Sequence, residues 1–294
     1  MDPPVCRASA SLARSRSPES GKPRIRWQRV IQQVAPAQSR PMIRRLALTV
    51  LAALAATAAP AWAADLRVLT AGAFKQVLVA AQPEFERRTG HRLLIDNDTA
   101  GALQRRITAG EAFDLVVSSP ASLQPLRQAG KLAEEAPPPL ARVGIGVAVK
   151  PGTPVPPLAS VDDFRRLLLQ ARSVAMIDPA AGGSSGIYLA QLFEQWGIAP
   201  QVKAKAVLVP GGLVAERVMN GQAEVAVHQI SEILAVPGAV LVGPLPAEIQ
   251  NYTVYAGAIG AQARDPAAAR QLLDTLRGPG LAGLLQAKGM EPVH

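Results

Sequence analysis

The 294-residue chain carries 31 Lys/Arg against 22 Asp/Glu, a formal charge of +9. Residues 1–63 hold ten of the basic residues against Asp2 and Glu19, while residues 64–294 hold 21 basic and 20 acidic residues. The larger part therefore gives no charge signal for nucleic acid, and with one cysteine, Cys6, in the leader and three scattered histidines, disulfides and a zinc or iron–sulfur site are not expected there.

In chain order, residues 1–41 are rich in Arg, Ser and Pro and read as a disordered upstream extension. Met42-Ile43-Arg44-Arg45, the apolar run to Ala59 and Ala61-Trp62-Ala63 then give the three parts of a secretory signal peptide over 42–63. Cleavage is expected after Ala63, and a periplasmic location follows. A retained membrane anchor is the alternative.

From Asp65 apolar runs alternate with helical stripes. Leu66–Leu69 reads as a strand, Ala71-Gly72-Ala73 as a turn, and Phe74, Val77, Leu78, Ala81 and Phe85 as one helix face. Leu93–Ile95 is the next strand, followed by the polar turn Asp96–Gly101 and a short helix over 103–107. Asp114–Val117 runs into Ser118-Ser119-Pro120 and a helix over 121–129. This βαβαβα order predicts a largely parallel sheet covered on both faces, with ligand loops at the carboxyl ends of its strands.

A Pro-rich break at 136–139 precedes an unusually long alternating strand over 142–149. A second α/β pattern follows: helix 161–171, strand 174–177, helix 187–196, strand 207–209, helix 213–220, and strands 224–229 and 239–242. Tyr252–Ile259 is a second long crossing, and helices over 266–276 and 279–288 finish the chain. The pattern predicts two α/β lobes, 64–142 with 253–294 and 143–252, each a mainly parallel sheet flanked by helices and joined by two hinge crossings.

Asp178 to Tyr188 contains Gly182-Gly183-Ser184-Ser185-Gly186 between a strand and a helix. Free amides, small hydroxyls and a helix dipole make this an anion receptor in outline. The same residues fit G-x-S-x-G, with Ser184 as the nucleophile of a serine hydrolase. An elbow needs its Ser directly off the strand, and only His228 and His294 follow. A plain helix cap by Ser184 or Ser185 is the third reading. Asp96 and Asp98 read as caps, or else as a cation site.

Val68–Phe74, Thr99–Ile107, Ala109–Ser118 and Asp178–Tyr188 together resemble the periplasmic solute-binding proteins of ABC transporters, type II fold, in the molybdate-binding branch. The resemblance spans about 65–290. It implies a clamshell holding an oxyanion by hydroxyls and main-chain amides, a permease partner in the membrane and a monomer, with no enzymatic activity, cofactor or nucleic acid. The implied ligand residues are Gly72, Ala73, Thr99, Gly101, Ser118, Ser184, Ser185, Gly212 and Gln229. Ala73 stands where the family has Ser, and Gln229 where a Tyr commonly completes the site, so molybdate, tungstate, another oxyanion or a small carboxylate all remain candidates. A ligand-sensing regulatory domain shares the fold, but would need a helix-turn-helix where the leader lies.

Overall fold

The computed structural model describes residues 63–154 and 158–293. The upstream extension and nearly all of the signal segment lie outside them. Among the described residues no helix is long and apolar enough to cross a membrane.

Two sheets organise the chain. The first has the order β11-β4-β10-β3-β1-β2. It is built from β1 (Asp65–Ala71), β2 (Arg92–Asp98), β3 (Leu115–Ser118), β4 (Pro139–Val143), β10 (Thr253–Ile259) and β11 (Glu291–Pro292). The second has the order β7-β6-β8-β5-β9. It comprises β5 (Ile145–Val149), β6 (Val174–Ile177), β7 (Ala206–Val209), β8 (Val225–Gln229) and β9 (Val240–Pro244). β1 pairs in parallel with β2 and β3, and β6 with β7 and β8. β10 and β5 each run antiparallel to both neighbours. The sheets are therefore mixed; β10 and β5, the reversed strands inside the sheets, lie at the crossings between lobes, and β11 runs antiparallel at one edge.

The apolar runs follow from burial on both faces of the second sheet. Val174 and Met176 pack with Phe164, Leu168 and Phe193 on one side. Ala175 and Ile177 pack with Val214, Val218 and Ile233 on the other. β5 and β8 alternate in the same way, with Val147 and Val227 on the first side and Ala148 and Ala226 on the second.

The single strand expected over 142–149 is two strands. Gly144 separates β4 from β5, and the chain changes sheets there. The Gln250 carboxamide fills the place of a side chain at Gly144, 3.0 Å from where a Cβ would stand. It accepts from the Ile145 amide at 2.8 Å and donates to the Ile145 carbonyl at 2.9 Å. Gln250 thus fastens one crossing to the other. Local alternation could not show this break, because Gly144 continues the alternation without interruption.

The helices nearest the cleft are α1 (Gly72–Thr89), α2 (Ala100–Thr108) and α5 (Ser184–Gln195); α3 (Pro120–Gln128) and α4 (Val161–Gln170) lie between the last two in sequence. α1 starts directly off β1 and ends at Gly90, in the left-handed region at φ 76°, whose amide bonds the Glu86 carbonyl at 2.8 Å. Short helices α6 (Ala199–Lys203), α7 (Glu216–Met219) and α8 (Ile230–Ile233) complete the second lobe. α9 (Pro266–Arg277) and α10 (Ala282–Ala287) return to the first.

Candidate functional site

One cavity lies between the lobes, where the turns after β1 and β2 face those after β6, β7 and β8. Gly72, Ala73, Thr99, Ser184, Ser185, Gly212 and Gln229 line it, together with Asn97, Asp98, His228, Glu232 and Tyr255. Gly101 and Ser118 do not. The Gly101 amide is turned to the Gly182 carbonyl, 3.0 Å away. Ser118 sits within the first sheet opposite Ala256, with its hydroxyl buried and unpartnered.

Two helix N-termini open on the cavity without a side-chain cap, α1 from the first lobe and α5 from the second. Their first-turn amides have no intrahelical acceptor, and their dipoles add positive potential. Ser184 and Ser185 are the first two helical residues of α5, and the N-cap is Gly183. The capping role expected for these serines is therefore not what they do. Asp178 instead caps the 3₁₀ turn Pro179–Ala181, its carboxylate accepting from Ala180 at 2.9 Å.

The glycines of this loop have packing reasons. Gly182 takes φ 83°. A side chain at Gly186 would run into the Ile177 carbonyl, so only glycine lets α5 start against the end of β6. Tyr188 then anchors α5 by donating to the Ile249 carbonyl at 2.6 Å, beside a crossing. The turn that the elbow motif suggested is thus a 3₁₀ turn followed by a helix start, with Ser184 well beyond the strand end.

The lobes touch at the outer edge of the cavity. Thr99 donates its hydroxyl to the Ala181 carbonyl at 2.6 Å and accepts from the Ala102 amide at 3.1 Å. Thr99 is therefore both the cap of α2 and a clasp to the opposite lobe. A Cβ added at Gly101 would lie 2.8 Å from the Gly182 Cα, so the two backbones meet only because both residues are glycine.

Asp96 and Asp98 stay partly solvated, Asp98 accepts from the Thr99 amide at 2.8 Å, and both face an arginine. Arg106 binds Asp96, reaches Asp98 at 3.4 Å and binds Glu111 at 2.6 Å. Among the described residues no group of acidic, His or Cys side chains is arranged to hold a metal. Arg106, through its hydrogen bonds, holds the Asp96 and Glu111 carboxyls below their usual range.

At the inner edge Gln229 accepts from the Tyr255 hydroxyl at 2.7 Å and donates to Thr253 at 3.1 Å. Its carboxamide therefore joins β8 to β10. Beside it His228 Nε2 stands 3.3 Å from Glu232 Oε2, both side chains almost fully buried. Burial pushes Glu232 up to about 8 and His228 down to about 3. Both are thus held in their neutral forms, and the contact is a close approach of two neutral groups rather than an ion pair. Sequence reading left Glu232 and Tyr255 out of the site. The available signal was the four-residue spacing from His228 at a strand end to Glu232.

With this geometry in place, residues 66–291 match the family described as bacterial extracellular solute-binding protein. The chain belongs to this solute-binding family. Among known proteins, an aconitate isomerase of a Pseudomonas species is 33% identical over 262 residues, 86% of this chain and 98% of that protein. Among solved structures, the periplasmic molybdate-binding protein of Azotobacter vinelandii superposes with a TM-score of 0.66 at 20% identity, covering 78% of this chain and 100% of that one. The sulfate-binding protein SubI of Mycobacterium tuberculosis gives 0.64 at 17% identity, covering 78% and 87%. The fold is the two-lobed α/β clamshell of type II periplasmic binding proteins.

Proposed function

We propose that this is a periplasmic solute-binding protein, exported by its leader with cleavage after Ala63, which closes its lobes on a small organic polyanion and presents it as a monomer to an ABC permease. The ligand class is a polycarboxylate, with aconitate the first candidate. The observation that carries this reading is the cavity's mixture of donors: two uncapped helix N-termini beside a carboxyl that burial keeps protonated. Amides and dipoles stabilise ionised carboxylates without a cation. A protonated Glu232 adds a donor that a carboxylate oxygen can accept. The relative named for aconitate supports the same class.

A tetrahedral oxyanion, molybdate or tungstate, is the second reading. The Ser184 and Ser185 hydroxyls at the head of α5 favour it, as does the ligand named for the Azotobacter protein.

Calorimetry with cis- and trans-aconitate, citrate, molybdate, tungstate and sulfate separates the two. Aconitate binding with no heat from molybdate or tungstate is the expected result. Saturation at about 100 times the dissociation constant should raise stability by roughly 2.7 kcal/mol. Binding of tetrahedral anions alone replaces the polycarboxylate reading with the second, and binding of none rejects both.

A further inference from the structure

Anion binding uses Glu232 only as a donor and leaves its neighbour His228 without a role. His228 is the penultimate residue of β8, and Glu232 lies four residues on, in α8. Their residues are 2% and 7% exposed, and His228 Nδ1 is buried with no hydrogen-bond partner. Gly72 makes room for the acid: a side chain there would run into Glu232 Oε1. From β10 Tyr255 faces the pair, its hydroxyl raised by burial and by Glu232. Asp98 from β2 and Ser184 from α5 line the same cavity, and no Lys or Arg among the described residues does. An acid and an imidazole that are both neutral, adjacent and shielded from water are suited to moving protons.

We propose that His228 and Glu232 are the base and the acid of a 1,3-proton shift on an unsaturated polycarboxylate held in this cleft. This rests on the polycarboxylate reading and adds a reaction to it. His228 Nδ1 removes a proton from the methylene next to the double bond, and that C–H electron pair becomes the new C=C bond. The former π pair takes the Glu232 carboxyl proton at the far carbon. For aconitate the product has the same constitution, with its double bond re-formed in either geometry, and nothing is oxidised or reduced. The step leaves an imidazolium beside a carboxylate. Proton exchange within the pair, or with water as product leaves, restores both neutral groups.

The test follows cis-aconitate by proton NMR with the mature protein in D₂O. The expected result is trans-aconitate carrying deuterium at the reprotonated carbon. Glu232→Gln and His228→Gln should each lower kcat by about 10²-fold or more, with the dissociation constant for aconitate held within a few-fold by calorimetry. Should a variant fail to fold, the wild-type pH profile tests the same claim, because kcat must fall as pH rises through about 8, where Glu232 loses its proton. Aconitate bound without turnover overturns the reaction and leaves the binding reading standing. Turnover that survives both substitutions, or an alkaline limb absent near 8, overturns the assignment to this pair. No binding removes the binding reading itself.

Discussion

Where the turn after β2 meets the turn after β6, the polar groups are matched. Thr99 bonds the Ala181 carbonyl and Gly101 bonds that of Gly182. At the turn after β8, His228 keeps a buried nitrogen without a partner, beside an acid that burial holds protonated. Both edges border the same cavity. The outer edge has its bonding capacity occupied in lobe-to-lobe contact. The inner edge, tied across the crossings by Gln229 and Gln250, leaves the His228 Nδ1 unpaired.

The largest expected effect breaks the inner edge by pH. Glu232 is held protonated in the folded chain up to about 8, whereas an unfolded chain ionises it near about 4.3. Between those values the unfolded state binds fewer protons. Glu232's contribution is therefore whole below the lower value and lost as pH rises to the upper one, by at most about 1.4 kcal/mol per pH unit; below about 6.5 it is offset by His228, which the fold keeps neutral while the unfolded chain protonates it, so the net fall lies between about 6.5 and 8. Glu232→Gln should flatten this fall; denaturant titrations between about pH 6.5 and 9 measure it, and equal slopes in the two proteins would show that Glu232 is not the titrating group.

Next comes the outer edge. Gly101→Val places a branched side chain where the Gly182 backbone now lies, at a cost of about 1–3 kcal/mol in the closed form. Affinity should fall by roughly 5- to 150-fold, and small-angle scattering should show a larger radius of gyration. An unchanged radius with unchanged affinity would mean that the contact does not govern closure.

Thr99→Val refines the same edge. It keeps the shape and removes both the clasp and the cap of α2. Ligand affinity and stability should each drop by about 1 kcal/mol. A loss of stability alone would assign Thr99 to capping. The smallest effect is expected at Ser184→Ala, about 0.5–1.5 kcal/mol in ligand binding. Ser184 should not react with a fluorophosphonate probe; labelling there would revive the nucleophile.

The order of strands and helices was legible because burial on both sheet faces demands continuous apolar runs, as in Val174–Ile177 and Val225–Val227. Much of the cavity wall was legible for a related reason: Gly72, Ala73, Ser184, Ser185 and Gly212 stand where strands run out into Gly/Ser turns. Glu232 was hidden because an acidic residue early in a short helix has no local mark of burial. Its surroundings come from α1 and β10, distant in sequence. The arginine partner of Asp96 and Asp98 was missed because Arg106 stands on the following helix, beyond the turn that holds the two acids.

The sequence by itself determined the α/β order, the division into two lobes' worth of pattern, and the placing of small polar turns after strands. These are local consequences of side-chain periodicity and turn chemistry. Only the tertiary structure decided what those turns do. It turned the Gly101 amide to Gly182, gave the Thr99 hydroxyl to Ala181, and set Glu232 against His228 under Gly72. A donor's partner and a carboxyl's protonation depend on which atoms remain nearby once water has left, and that is settled only when distant segments meet.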